Sequence, residues 1–291
     1  MEVYGYGLQK GNPMISVLIL TLDEEYVLEE CLRSVSWSDD VHVFDSGSRD
    51  ATPEIASKHG ASFSNRDFDG YASQRNAALS KCPFKHEWIL ILDADERIPA
   101  GGHDRLMSLI RQAPSDVAAF RLRRRDYMEG RWLKHAQISP WYIRLLRKGR
   151  GTYHREVNEV LEVDGRVAET DFHFDHHPFA KGVGHWMQRH IRYARMEADR
   201  LLEERRTSPR FSLSKAILSR DFNERRFHQK GLYYRLPFRP LLKWIYMMFW
   251  RMSFLDGRQG VTYAWLQTFY EYLIVLNVRE SSGSRRDDPR E

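Results

Sequence analysis

Residues 88–98 read WILILDADERI, an unbroken apolar run from Trp88 to Leu92 that ends on three acids, Asp93, Asp95 and Glu96. A short continuous run of Ile and Leu marks a strand buried on both faces, as in a parallel sheet. Carboxylates this close at the mouth of a buried strand repel one another and call for a countercharge. A divalent cation is the simplest one. The same triplet also suits a solvated turn whose Asp caps a following helix.

Working outward, the preceding chain repeats the pattern. Ile15 to Leu20 (ISVLIL) predicts a first strand, followed by TLDEE and a helix with Leu28, Cys31, Leu32 and Val35 at i, i+3, i+4 and i+7. Val41 to Phe44 predicts a second strand that stops at DSGSRD, with a helix through Pro53, Ile55 and Ala56 ended by Gly60. A short strand near Ala61–Ser64 and a helix near Tyr71–Ser80 lead into the quoted stretch. Alternating strand and amphipathic helix predicts an α/β fold built on a parallel sheet with right-handed crossovers. Ligands of such sheets bind beyond the carboxyl ends of the strands. That rule places TLDEE (21–25), DSGS (45–48) and DADE (93–96) around one crevice, with Tyr71, Gln74, Arg75 and Asn76 beside it. Neither a G-x-G-x-x-G after the first strand nor a G-x-x-x-x-G-K-[ST] occurs, so phosphates are expected to be held through a metal rather than a glycine cradle.

The chain of 291 residues is 42% hydrophobic and 29% charged, a globular composition. Cys31 and Cys82 are the only cysteines, which gives no disulfide framework or cysteine-built zinc site and points to a reducing compartment; both read as half-buried thiols. No secretory leader pattern opens the sequence, and no stretch of about 18 uncharged apolar residues predicts a spanning helix. The net charge of +5 is unevenly spread: residues 1–178 carry 23 Lys+Arg against 28 Asp+Glu, residues 179–278 carry 18 against 8, and the tail is balanced. An acidic first part with a basic second part suggests chemistry in one and attachment to an anionic surface in the other. The expected organisation is an extension over 1–13 and a catalytic domain over 14–178, divided into a nucleotide-sugar half (14–115) and an acceptor half (116–178). A basic helical region follows over 179–278, then a disordered tail over 279–291.

Four blocks, SVLILTLDEE, VFDSGSRDAT, GYASQRNAAL and WILILDADER, taken in this order, resemble the family 2 glycosyltransferases, and in particular the branch that builds lipopolysaccharide core. Downstream, EVNEVLEVDGR (156–166) and FLDGRQG (254–260) are similar to that branch's later segments, with Asp23 standing where Asn is commoner and Asn158 where His is commoner. The resemblance implies a GT-A fold, a UDP-sugar donor (UDP-glucose foremost), a Mg²⁺ or Mn²⁺ ion and inversion at the anomeric carbon. By position it implies that Thr21, with Glu24 close by, holds the base, that Asp45 binds the uracil, and that Arg75 and Asn76 lie near the nucleotide. It further implies Asp93 on the ribose side, Asp95 on the metal, and Glu159 as the general base, with Glu156 and Asp126 in reserve. The acceptor implied is a lipid-linked glycan; sugar delivery to a polyprenyl phosphate is the alternative, and a non-catalytic scaffold is the reading from another class.

In DFHFDHHP (171–178), alternation puts His173, Asp175 and His177 on one strand face, with His176 on the other. The segment reads as a histidine-bearing edge strand, not a metal site, with His177 the first residue to test. Trp141 and Tyr142 offer a sugar-stacking platform or core packing. Residues 185–206 read as an exposed helix whose basic and aromatic residues carry no nucleic-acid module. In LPFRPLLKWIYMMFWRMSFLDG (236–257), a single helix at about 100° per residue gathers Arg239, Lys243 and Arg251 into one sector, leaving an apolar surface for an anionic bilayer. Val261–Val278 is a second apolar segment suited to a membrane, to the catalytic domain or to a dimer partner. These readings place the protein in the cytoplasm, peripheral on the inner face of the membrane, and leave a homo-oligomer open.

Overall fold

A computed structural model describes residues 14–154, 160–207, 212–214, 221–234, 236 and 238–283. The strands are β1 (Ile15–Thr21), β2 (Val41–Asp45), β3 (Ser62–Asn65), β4 (Trp88–Asp93), β5 (Glu96–Arg97), β6 (Val117–Met128), β7 (Arg131–Trp132), β8 (Trp141–Arg147), β9 (Gly151–His154), β10 (Val160–Val163) and β11 (Arg166–His176). The helices are α1 (Leu28–Ser34), α2 (Thr52–Lys58), α3 (Tyr71–Lys81), α4 (Gly102–Arg111), α5 (Gly182–Thr207), α6 (Phe222–Tyr233), α7 (Arg239–Ile245) and α8 (Gly257–Gly283). The chain forms two compact units, one of residues 1–127 and 139–180, the other of 128–138 and 181–291.

In the first unit the sheet order is β3-β2-β1-β4-β8-β6-β11-β5. β3, β2, β1 and β4 are parallel, joined by α1, α2 and α3 as crossovers. β8 then runs antiparallel between β4 and β6, while β11 pairs parallel with β6. The apolar run of the opening stretch is buried on both faces, as its lack of alternation requires. Trp88, Leu90 and Leu92 join one core cluster, and Ile89 and Ile91 the other. Leu28, Cys31, Leu32 and Val35 all turn inward from α1. Both cysteines are buried, deeper than the sequence suggests, because Cys31 lies on that inward stripe and Cys82 closes α3 against Phe84. Register puts Thr21 opposite Asp45 and Leu20 opposite Asp93, so three acidic strand ends share one edge of the sheet.

The second unit differs from its sequence reading in two ways. α5 is not exposed all round: Trp186, Ala194, Ala198 and Leu201 are buried, and the last three pack with Ile274 and Val278 of α8. The segment 236–257 is not one helix. α7 ends at Ile245, a π-helical turn spans Tyr246–Trp250 and a 3₁₀ turn spans Ser253–Asp256. A wheel of constant pitch therefore misplaces its charges. Arg239 is 4% exposed and paired with Glu271 of α8, so it faces the interior of its unit rather than a bilayer.

Candidate active site

β1 and β2 end together, and their residues lock the turns that follow. Thr21 Oγ1 donates to Asp45 Oδ1 at 2.7 Å, while Asp45 Oδ2 accepts from the backbone N–H groups of Gly47 and Ser48 at 2.8 and 2.7 Å. Ser48 Oγ adds a further bond to Oδ1. Gly47 has φ +93°, which only glycine adopts without cost, so the loop can fold back over the carboxylate. Asp23 has φ +53°, a conformation that Asp and Asn tolerate best, which accounts for either residue at this position. It accepts from the N–H of Arg49, and its own N–H donates to Ser48 Oγ. The backbone N–H of Glu24 donates to Thr52 Oγ1 at the start of α2. Gln74, buried on α3, ties the same edge by donating to the carbonyls of Asp45 and Arg66 and to Ser46 Oγ.

The chain supplies countercharges of its own to the three acids at the end of β4, beside any that a bound cation would add. Asp93 Oδ1 accepts from Arg75 and Oδ2 from Arg144, each at 2.9 Å. Arg144 also pairs with the buried Glu96, whose Oε2 accepts from the Asp93 backbone N–H. Burial alone would raise the Asp93 carboxyl, but the two guanidinium groups outweigh it and hold it well below the usual range. Glu96 lies deeper. Burial pushes it up to about 7 against the pull of Arg144, with the charges of Asp93 and Asp95 adding to the rise.

Asp95 takes His176, Nε2 to Oδ2 at 3.3 Å, and its carbonyl accepts from the His177 N–H at 2.8 Å. The other ring nitrogen of His176 lies 2.5 Å from Asp126. Burial would lower this imidazole, but the charge of Asp95 and the bonds to Asp126 and Asp95 push it up to about 9. The histidine that meets the acids is thus His176, on the strand face opposite His173 and Asp175. β5 pairs with Asp175 and His176, which covers this end of β11. His177 instead stacks on Tyr127, and burial pushes it down to about 4. Asn76 uses its amide on the backbone N–H and carbonyl of Tyr153, while the Arg75 guanidinium lies 5.4 Å from the Tyr153 ring centre. Arg123 covers the ring of Trp141, and Arg124 that of Tyr142.

The structure therefore brings Thr21, Asp45, Arg75, Asp93 and Asp95 to one sheet edge and assigns Asn76 to pinning β9. Glu159 and Glu156 lie outside the described residues. Sequence reasoning missed Arg144, whose signal is an arginine flanked by Ile143 and Leu145 in the middle of the mostly apolar strand WYIRLLR. The family model "Glycosyl transferase family 2" matches residues 16–164, which take in the parallel strands and their acidic ends. The chain belongs to glycosyl transferase family 2. This glycosyltransferase is 25% identical over 269 residues to the lipopolysaccharide core biosynthesis glycosyltransferase LpsC of Rhizobium meliloti (strain 1021), covering 87% of this chain and 89% of that protein. It is 39% identical over 85 residues to an uncharacterized glycosyltransferase of Rickettsia bellii, a match spanning 29% of this chain and 28% of the relative. Among solved structures, glucosyl-3-phosphoglycerate synthase from Mycobacterium tuberculosis in complex with phosphoglyceric acid superposes with a TM-score of 0.43 at 16% identity, over 57% of this chain and 73% of that one.

Among the described residues no group of three His, Cys, Asp or Glu side chains forms a cage for a metal ion. The residues present fit a different kind of ion. Mg²⁺ and Mn²⁺ are hard cations that keep several waters and need only one or two protein carboxylates when a substrate phosphate supplies the rest. Asp95, partly exposed at the strand end beside His176, has the carboxylate chemistry that such an ion requires.

Proposed function

We propose that this glycosyltransferase moves glucose from UDP-glucose to a lipid-linked glycan acceptor of the lipopolysaccharide core type, by a metal-dependent single displacement that inverts the anomeric carbon. The observation that carries the reading is the convergence of Thr21–Asp45 with Asp93 and Asp95 at one sheet edge, in a chain that matches LpsC along most of its length. The Asp45-ordered loop, with Glu24 beside it, shapes the place for the uracil, and Asp93 stands toward the ribose. Asp95 would hold a Mg²⁺ or Mn²⁺ ion, which when bound supplies positive charge to the departing diphosphate. Arg75 and Arg144 keep the Asp93 carboxylate ionised and aimed. Glu159 takes the proton of the incoming hydroxyl, a role worth about 10²–10⁴ in rate.

UDP release from UDP-glucose with Mn²⁺ tests the reading. It should be lost in Asp95→Ala, while Glu159→Gln should still bind UDP and fail to transfer. Full transfer by Glu159→Gln would end that assignment, and metal-independent turnover by Asp95→Ala would end the ion's.

The same proposal places the enzyme in the cytoplasm, on the inner face of the membrane. In the second unit Phe238, Leu241, Ile245, Phe249 and Trp250 are all exposed, with Phe249 at 68% and Trp250 at 78%. Clustered exposed aromatics in a basic region suit the lipid interface. Among the described residues no helix is long and apolar enough to cross a membrane. Cosedimentation with phosphatidylglycerol vesicles should drop in the double variant Phe249→Glu/Trp250→Glu; equal sedimentation of variant and wild type would refute attachment through this face.

A further inference from the structure

The FLDGRQG segment builds a second site, within the second unit. Asp256 is 2% exposed, and its Oδ2 accepts from the backbone N–H groups of His135 and Ala136 at 2.8 and 2.7 Å. Arg251 Nε donates to the His135 carbonyl at 3.0 Å, and Arg131 donates to the Leu255 carbonyl at 3.2 Å. These bonds hold the 130–136 segment against the 3₁₀ turn around an open hollow of about 430 Å³, lined by Arg131, Trp132, Lys134, His135, Leu255 and Asp256. That volume lies within the range of about 300–1,000 Å³ usual for small-molecule sites.

The charge around the hollow is unbalanced. Arg131 and Lys134 are exposed, and among the described residues neither they nor His135 pairs with a carboxylate. The one acid in the wall, Asp256, is turned to backbone N–H groups. Two cations and an imidazole held around one concavity favour an anion, since a guanidinium and an ammonium recognise phosphate or carboxylate oxygens. The Trp132 ring, with Lys134 Nζ 5.9 Å from its centre, adds an aromatic face of the kind that covers the apolar side of a pyranose.

We propose that this hollow is an acceptor subsite for an anionic sugar, one that carries a phosphate or carboxylate. The inference rests on the transferase reading above and deepens it: the second unit reads the acceptor's charge, apart from the donor's chemistry. A phospholipid headgroup offers the same oxygens, and the test separates the two sources.

Glucose 6-phosphate, glucuronate, glucose and phosphatidylglycerol vesicles are titrated calorimetrically into the full chain at low salt, with UDP plus Mn²⁺ measured in parallel. Glucose 6-phosphate and glucuronate should bind at least tenfold more tightly than glucose. The preference should fall at least tenfold in Arg131→Ala/Lys134→Ala, and to a lesser degree in the milder Lys134→Gln. The proposal is overturned if glucose binds equally well, if the double variant keeps wild-type affinity for glucose 6-phosphate, or if vesicles alone depend on Arg131 and Lys134. Loss of UDP binding with retained sugar-phosphate binding would instead sink the donor reading, so the two failures are distinct.

Discussion

Arg144 carries two carboxylates on one buried guanidinium, bonding Asp93 and Glu96 from the middle of β8. Removing it leaves both acids facing each other in a poorly solvated place. Arg144→Met should therefore destabilise the fold by about 3–5 kcal/mol, the cost typical of breaking a buried pair from one side. Urea unfolding monitored by tryptophan fluorescence measures this, and a loss under about 1 kcal/mol would mean that water reaches the cluster. Asp45 is a different case, because its partners are neutral. Asp45→Ala should cost about 2–3 kcal/mol by stranding the N–H groups of Gly47 and Ser48. The same denaturation experiment decides it. At this scale the sequence was legible where residues cluster, as in DSGS and DADE, and illegible where they meet across the fold. Arg144 reads as one polar residue in an apolar strand, and nothing local says that it faces acids 48 and 51 positions upstream.

Among the elements, the turn between the π-helical segment and α8 depends on a glycine for space. A Cβ on Gly260 would lie 2.0 Å from the Ser253 carbonyl oxygen and 2.7 Å from Asp256 Cβ, neither of which can yield without moving the turn. Gly260→Ala should cost about 1–3 kcal/mol or more, read as a lowered thermal midpoint. Gly257 has room but a φ of +73°, so the two glycines of FLDGRQG serve different ends. α5 and α8 carry a pH dependence. His190 stacks 3.5 Å from the Trp186 ring and meets Tyr270 edge-on, and burial pushes its imidazole below the usual value. Its contribution is complete above the unfolded value of about 6.5 and is lost as the pH falls below it, because the unfolded chain takes the proton first. The thermal midpoint should therefore decline between pH 7 and pH 5, with a shallower decline in His190→Phe; equal slopes would remove His190 as a cause. The parallel strands and crossover helices were legible because period and turn signals agree there. The 236–257 segment was not, because a π-helical turn changes the pitch on which a wheel depends, and a buried Arg239–Glu271 pair cannot be told from two surface charges.

At the scale of the whole molecule, the chain alternates between its units instead of finishing one and starting the next. Residues 128–138 leave the first unit, join the second, and the chain then returns for 139–180. A chain ended at Ala180 would lose Asp256 and leave the His135 and Ala136 N–H groups without that acceptor, with Leu133, now fully buried, lacking the rest of its unit. Its conformational stability should fall by about 2–5 kcal/mol from the stranded donors and the exposed leucine. Chemical denaturation of the 1–180 chain against the full chain measures it, and an unchanged midpoint would show that 128–138 stands alone. No periodicity marks this excursion, since the carboxylate that holds His135 and Ala136 comes from Asp256, 121 and 120 positions downstream.

Because eleven residues from the middle of the sequence belong with its last third, the polypeptide crosses between its two bodies three times. A relative's C-terminal portion grafted on by a single splice would arrive with no matching clasp to grip. Gene exchange among such enzymes can pass on this unit whole only when both pieces travel together.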